Sequence, residues 1–363
     1  MRAAVLHGIG DEKFDIRDDV SVLGPGPGEV RIRVRAAGVC HSDLSARGGR
    51  LPQPVPAVLG HEAAGDVIET GEGVDDLAPG DRVTVNWLPS CGTCTSCLRN
   101  EPYLCVTHVM AGYAMPRFLA GDIPAFAMAG CGAFASEIVV PRAGAVQIGH
   151  DVPYEVGALL GCGVMTGVGA VINTAAVRPG DTVVVIGCGG VGIAAIQGAR
   201  IAGAALIVAV DTVAAKHDVA RRFGATHAVT PDGLSDLSVE LTGAEGFDYA
   251  FDVVAIPQTL RTAWTAARRG GTVVVVGAGS AEHRVEFSPF ELLFEGKRII
   301  PSLYGSAYPP RDFERLLALW RAGRLDIEGM ISHRLPLDQL DDALDSLGRG
   351  DVIRQVIVHD ADV

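Results

Sequence analysis

The sequence predicts an α/β protein of two domains: a partly closed β-barrel built from both ends of the chain, and a doubly wound parallel sheet inserted between them. Three observations carry this reading. A chain of 363 residues is longer than one ordinary core accommodates. Residues 1–90 read as short strands separated by glycine and proline turns, the spacing of a barrel. From about 164 to 303, strand-like and helix-like segments alternate, which is the signature of a parallel sheet.

Taken in order, strands are predicted at 29–37, 63–70 and 81–87, with turn signals at Gly71-Glu72-Gly73 and Pro79-Gly80-Asp81. The segment 106–136 holds Pro116, Pro124 and several glycines and shows no period. It is predicted as a long surface loop, returning to a strand at 134–140, and loops of that length tend to be functional. The run 183–186 is continuous and β-branched, as in a strand buried on both faces, and 193–204 reads as the helix after it. Strand, helix and strand follow at 247–254, 259–268 and 271–277. An amphipathic helix at 313–322 and a last strand at 354–359 return the chain to the first domain. The predicted domains are therefore 1–163 with 304–363, and 164–303. No internal repeat or low-complexity block is visible.

Composition narrows the partners. With 48% hydrophobic and 20% charged residues the chain reads as a well-packed globule, and a net charge of −13 argues against nucleic acid or an anionic membrane surface. The N-terminus turns acidic by Asp11 without an apolar run, so no secretory signal is expected and the cytoplasm is the predicted compartment. Eight cysteines are then expected as reduced thiols or metal ligands. The charge-free segment 156–177 is long enough to raise a membrane span. Its five glycines, Asn173 and two threonines, and its direct run into the next motif, argue for burial in protein instead.

That motif is Gly187-Cys188-Gly189-Gly190-Val191-Gly192. Gly187, Gly189 and Gly192 have the G-x-G-x-x-G spacing: one glycine for the tight turn, one where backbone approaches a pyrophosphate, one for close helix packing. A glycine triplet alone can be an ordinary strand-to-helix turn. Here strand, turn, helix, second strand and acid occur in order, the pattern of a Rossmann dinucleotide-binding unit. Gly187, Gly189, Gly190, Val191 and Gly192 are the candidate pyrophosphate contacts, at a helix N-terminus whose free N–H groups favour an anion. Asp211 ends the second strand, where its carboxylate accepts hydrogen bonds from an adenosine ribose and repels a 2′-phosphate. NAD is therefore predicted over NADP, with Lys216 placed to cap the ribose.

Two cysteine constellations point to metal. Cys91-x2-Cys94-x2-Cys97-x7-Cys105 gathers four soft ligands at short spacing, which suits a closed, structural zinc site. The second is scattered: Cys40-His41-Ser42-Asp43 follows one strand, Gly60-His61-Glu62 precedes another, and Cys162 lies just before the dinucleotide unit. Alone, Cys40 or His61 reads as a core residue. Together they supply two thiolates and an imidazole and leave a fourth position open, the catalytic arrangement.

On these motifs, in this order and at these separations, the whole chain resembles the zinc-dependent alcohol dehydrogenases of the medium-chain dehydrogenase/reductase superfamily, most nearly bacterial members acting on aryl or primary alcohols. The resemblance implies a GroES-like catalytic domain beside the Rossmann domain, two zinc ions per chain and NAD. It implies that Cys40, His61 and Cys162 hold the catalytic zinc, that Ser42 bridges substrate oxygen to the proton path, and that Asp43 orients His61. It places Glu62 behind the metal, Thr166 against the nicotinamide, His41 and Arg354 at the pyrophosphate, and Trp87 against the substrate. One position departs from the family pattern: the histidine that many members carry five residues after the first ligand cysteine is Ser45 here.

The reaction expected is NAD-dependent interconversion of a bulky or aryl alcohol with its aldehyde or ketone. A dehydrogenase acting on a thiol adduct of formaldehyde is the nearest alternative, but it needs a cationic pocket mouth, and Arg117 is the only lysine or arginine in 106–136. A zinc-retaining reductase of an activated C=C or C=N bond is another, and a non-catalytic nucleotide-binding protein a third, which has no use for an open metal site. The apolar run 298–304 predicts an edge strand and with it a homodimer or dimer-based tetramer.

Overall fold

The computed structural model describes residues 1–359. The chain divides into two compact units: Met1–Cys162, Tyr308–Ala318 and the stretch from Ile327 onward form one, and Gly163–Ala307 with Leu319–Asp326 form the other.

The first unit is organised on one long strand, Glu29–Val39, whose alternate residues Val30, Ile32 and Val34 are buried. It pairs antiparallel with Glu62–Thr70, Glu137–Pro141 and the C-terminal strand Arg354–Val358. Arg82–Val85, Ala145–Gln147 and Ile331–Leu335 complete seven strands. A second sheet of six short strands includes Ala3–Leu6, Ala57–Val58 and Ile123–Ala127. Leu6, Ile32, Leu59, Phe118, Phe134 and Ile138 belong to one core of buried side chains, giving the partly closed, GroES-like barrel.

The expected loop at 106–136 is corrected by the structure. It contains the helix Thr107–Ala114 and the antiparallel pair Phe118–Ala120 and Ile123–Ala127, and the latter strand adds parallel to Ala57–Val58. Strands this short, broken by Pro116 and Gly121, give no readable period, yet Phe118, Ala125 and Ala127 are fully inside.

In the second unit His227–Val229, Leu206–Val210, Thr182–Ile186, Phe247–Asp252, Ala267–Val275 and Arg298–Pro301 lie side by side in that order, all parallel. This is the doubly wound order, with its switch point between Thr182–Ile186 and Phe247–Asp252, where a crevice opens at the carboxyl ends of the strands. Val183, Val184 and Val185 are wholly buried, as a strand covered on both faces requires. The return of Leu319–Asp326 to this unit has no signal in the sequence. It is fixed by Gln197, whose amide donates to the Asp326 carbonyl at 3.0 Å and accepts from the Asp326 N–H at 2.8 Å.

The charge-free segment forms the helix Tyr154–Thr174, of mean hydropathy 1.7, and 89% of its most apolar window is buried in the protein. Its glycines answer to close packing. A Cβ on Gly161 would stand 2.7 Å from the Val85 carbonyl oxygen, and one on Gly167 would stand 2.3 Å from that of Val191. This apolar helix is covered by protein.

Candidate metal and cofactor sites

The long strand ends at Val39 and the helix His41–Arg47 begins one residue later, so Cys40 sits at a strand-to-helix corner. Asp43, fully buried in the first turn, accepts the Cys40 N–H on Oδ2 at 2.9 Å and pairs with His61 Nδ1 through Oδ1 at 3.1 Å. That second bond fixes the ring and its tautomer and leaves Nε2 as the lone-pair nitrogen. Trp87 sets its ring edge-on to His61, centroids 6.2 Å apart at 84°. Cys162 comes from a π-helical turn, Leu160–Val164, a distortion that recurs at functional positions. Ligand atoms of Cys40, His61, Glu62 and Cys162 all lie within 4.8 Å of one another, and all four residues are buried.

The charges in this cluster call for a cation. Cys162 hydrogen-bonds to Cys40 and holds it on the thiolate side, well below the usual thiol range, while the same bond and then burial push Cys162 well above it. Two thiolates this close repel, so without a metal only one forms. Burial works against a charged His61, yet Asp43 outweighs it and raises the ring's pKa. Cys40, His61 and Cys162 would hold a dication, which would favour a neutral ring offering the Nε2 lone pair and two thiolate sulfurs. Glu62 Oε1 is buried and has no hydrogen-bond partner among the described residues, which leaves an acceptor oxygen at the ligand cluster. Two thiols and an imidazole in this arrangement fit Zn²⁺.

Sulfur atoms of Cys91, Cys94, Cys97 and Cys105 form a second cluster, also within 4.8 Å. The backbone is already folded around these sulfurs: Cys94 N–H points at Cys91 Sγ and Cys91 N–H at Cys105 Sγ, both at 3.3 Å. The Thr107 hydroxyl, then the Thr93 N–H, hold Cys91 down to about 5, whereas burial pushes Cys97 up to about 11. Four cysteines and no open position suit a closed zinc site.

In the second unit the strand Thr182–Ile186 turns at Gly187, φ +99°, into the helix Gly190–Ala202. A Cβ on Gly192 would meet the Gly187 carbonyl oxygen at 1.8 Å, whereas one on Gly189 would meet nothing within 4 Å. The outer glycines are thus required by the turn itself, and Gly189 faces the open space a pyrophosphate needs. Gly190 and Val191 supply the first-turn N–H groups. Asp211 is tied to this turn: it accepts the Cys188 N–H on Oδ2 at 2.7 Å and the Val213 N–H on Oδ1 at 2.8 Å, with Lys216 Nζ 3.9 Å from Oδ2. A carboxylate has about four acceptor positions, so two remain for ribose hydroxyls. Thr166 lies in this unit on the helix Met165–Gly169, 9% exposed.

Comparison with known proteins gives the ancestry. Residues 26–153 match the alcohol dehydrogenase GroES-like domain and residues 190–322 the zinc-binding dehydrogenase domain. An NDMA-dependent alcohol dehydrogenase of Amycolatopsis methanolica is 37% identical, covering 99% of both chains. The chain belongs to the zinc-dependent alcohol dehydrogenases of the medium-chain dehydrogenase/reductase superfamily. An S-(hydroxymethyl)glutathione dehydrogenase of Escherichia coli is 36% identical over 93% of this chain and 95% of its own. Among solved structures, the benzyl alcohol dehydrogenase of Acinetobacter calcoaceticus superposes with a TM-score of 0.92 at 29% identity over 99% of both chains. This member of the family is accordingly an oxidoreductase that acts on alcohols.

One residue of this dehydrogenase has a protein partner that the sequence did not announce. Arg354, expected at the pyrophosphate, is 3% exposed and directs its guanidinium to the carboxylate of Glu62 behind the ligand cluster. The reason is charge: burial, helped by Cys40 and Asp43 nearby, holds Glu62 up at about 7 even against the pull of Arg354 and then His61. Gly38 makes room for the pair, since a Cβ there would stand 2.0 Å from Glu62 Oε2. Sequence reasoning gave Gly38 no role; its only trace is a glycine inside a strand. His41 lies exposed at the start of its helix, with Ser42 and Ser45 half-buried behind it.

Removing one charge of this pair should cost more than removing both. Arg354→Met strands a buried carboxylate and is expected to destabilise by about 3–5 kcal/mol in urea unfolding, whereas adding Glu62→Gln should recover a large part of that loss. Additive losses in the double variant would show that the two side chains do not compensate each other.

Proposed function

We propose that the enzyme moves hydride between a bulky or aryl primary alcohol and NAD, using a catalytic zinc held by Cys40, His61 and Cys162 and a structural zinc held by Cys91, Cys94, Cys97 and Cys105. The observation that carries the reading is the buried two-thiol, one-imidazole cluster oriented by Asp43. When bound, the catalytic metal supplies Lewis acidity that makes the alcohol a better proton donor, and NAD takes up the hydride. Asp211, beside the glycine turn, supports NAD over NADP. Trp87 and the likeness to a benzyl alcohol dehydrogenase support an aryl substrate. The thiol-adduct alternative is weakened further because Arg117 is engaged in an ion pair with Glu29. Eight free thiols support a reducing compartment, and we assign the cytoplasm.

The chain's own part in the chemistry is to orient the alcohol and carry its proton away. Ser42 Oγ lies 3.8 Å from Cys40 Sγ, at the ligand cluster. Ser45 lies three residues on in the same helix, on the same face. Ser42 passes the proton outward; Ser45 cannot act as a base near neutrality, where a histidine could.

Five outcomes follow for the enzyme, one drawn above and four here. Freshly purified protein should hold two zinc ions per chain. Cys162→Ser should lose one of them and nearly all oxidation of benzylic alcohols while staying folded, whereas Cys97→Ser should lower the melting temperature; one zinc or none in the unmodified protein contradicts the assignment. In cofactor assays Asp211→Gly should narrow the preference for NAD, and an unmodified enzyme with equal kcat/KM for NADP would refute the choice. Ser42→Ala should lower kcat by roughly two to four orders of magnitude, Ser45→Ala far less, and Ser45→His should raise oxidation near neutral pH. Equal losses in the two alanine variants would make Ser45 an essential link.

The last concerns assembly. Arg298–Pro301 is the end strand of its sheet, with Ile299 37% and the following Leu303 44% exposed. Beside it the helix Pro289–Glu295 exposes Phe290 (71%), Leu293 (74%) and Phe294 (55%). An apolar edge of this kind supports a two-fold dimer. Light scattering at micromolar concentration should give a dimer or tetramer, and Leu293→Glu with Phe294→Glu a smaller species; a monomer from the unmodified chain contradicts the proposal.

A further inference from the structure

The helix that begins at Tyr154 and presents Cys162 lies against the strand Glu62–Thr70, which starts one residue after His61. The two run antiparallel, and three contacts mark their register. The Tyr154 hydroxyl donates to Asp66 Oδ1 at 2.7 Å, a Cβ on Gly157 would stand 2.9 Å from that of Ala64, and one on Gly161 would stand 3.7 Å from the Glu62 Cα. One residue beyond this last contact lie Cys162 on the helix and His61 ahead of the strand, both members of the ligand cluster. The two arms match in length: about 12 Å for the helix from Tyr154 to Cys162 and about 13 Å for the strand from Asp66 to Glu62. Gly157 and Gly161 let the backbones approach but carry no side chain that opposes sliding or rotation. The hydrogen bond at Tyr154 is directional, and it alone of the three contacts can hold the register.

The surroundings of Tyr154 keep that bond in place. Arg82, the cross-strand neighbour of Asp66, lays its guanidinium over the phenol ring, 4.0 Å from the centroid, and donates from Nη2 to the hydroxyl at 3.1 Å. Arg35 Nε holds the other oxygen of Asp66 at 2.9 Å. Burial, then Asp66, push the phenol pKa up, so the hydroxyl keeps its proton for the carboxylate. The helix start has a further tether, Glu155 to Arg334 at 3.0 Å, whose arginine is half-exposed and which contributes little. We propose that Tyr154 is a positioning residue of the metal site: through Asp66 it fixes the register of the Cys162 helix on the strand that follows His61, and with it the spacing of those two ligands. The inference rests on the zinc assignment above and adds a residue outside the ligand cluster that shapes it. Outer partners of metal ligands change metal affinity by about 10–100-fold.

Tyr154→Phe keeps the ring beneath Arg82 and removes only the hydroxyl. In the zinc-loaded full-length enzyme we expect it to speed transfer of the catalytic zinc, the ion that Cys162→Ser lacks, to a chromogenic chelator about tenfold or more, while the four-cysteine zinc leaves at its usual rate. Cobalt placed in the catalytic position should show shifted absorption bands, a change that loss of stability alone does not produce. Asp66→Leu should act in the same way, and the two substitutions together should do no more than the stronger of them. Should Tyr154→Phe not fold, Asp66→Leu carries the chelator and cobalt measurements by itself. Equal acceleration at both zinc sites, no acceleration at either, additive effects of the two substitutions, or a like effect of Glu155→Gln overturns the proposal. Unmodified protein without zinc at Cys40, His61 and Cys162 refutes the metal reading and the proposal with it. Selective loosening of that zinc in an enzyme that oxidises no alcohol would sustain the role of Tyr154 while refuting the dehydrogenase reading.

Discussion

Asp43 is a single carboxylate with no exposed surface, and it accepts hydrogen bonds from two pieces of chain at once, the amide that begins one helix and the imidazole that precedes a strand. A buried carboxylate is stable only when its oxygens are compensated, so the two donors are held as firmly as they hold it. The position of Cys40 and the tautomer of His61 are therefore consequences of one electrostatic requirement. The second unit repeats the device. Asp211 joins the glycine turn to the end of the neighbouring strand, and the fully buried Asp252 accepts the amides of Val254 and Ala255 and the hydroxyl of Thr259. In each place a loop without regular hydrogen bonds of its own is shaped by an acid at the end of a regular element.

The ion pair of Glu62 and Arg354 works differently. It joins two strands that flank Glu29–Val39 on opposite sides, and it crosses that strand where Gly38 has no side chain. Buried ion pairs contribute little net stability, because desolvation offsets attraction. What this one does is set charge: the guanidinium lies behind the cluster of Cys40, His61 and Cys162 and offsets its negative charge.

Local chemistry was legible in the sequence and distant pairing was not. The glycine turn, the β-branched strand before it and the four-cysteine lobe are patterns within a few residues, where spacing alone fixes geometry. Cys40, His61 and Cys162 could be joined only by the chemistry of their side chains and by family resemblance, since nothing local marks them as neighbours. The pair 118–120 and 123–127 was read as loop because its strands owe their existence to Ala57–Val58 and a common core rather than to their own pattern. The partnership of Arg354 with Glu62 spans 292 residues of sequence and has no local signal. Tyr154 gave no signal at all, because a tyrosine ahead of an apolar run looks like any half-buried aromatic until its partner on another element is known.

The placement of that arginine bears on how the protein is made. Arg354–Val358 pairs with a strand translated more than three hundred residues earlier, so the barrel that includes Glu29–Val39 lacks a strand until residue 358 has been added. Until then Glu62 lacks its guanidinium partner and the strand Glu29–Val39 has an open edge, the state most exposed to mispairing on the ribosome. The parallel sheet, contiguous from 163 to 307, has no such dependence and can close while synthesis continues. The first unit is thus completed after the second, and removal of Arg354–Val358 would take a strand from the barrel while leaving every strand of the parallel sheet in place.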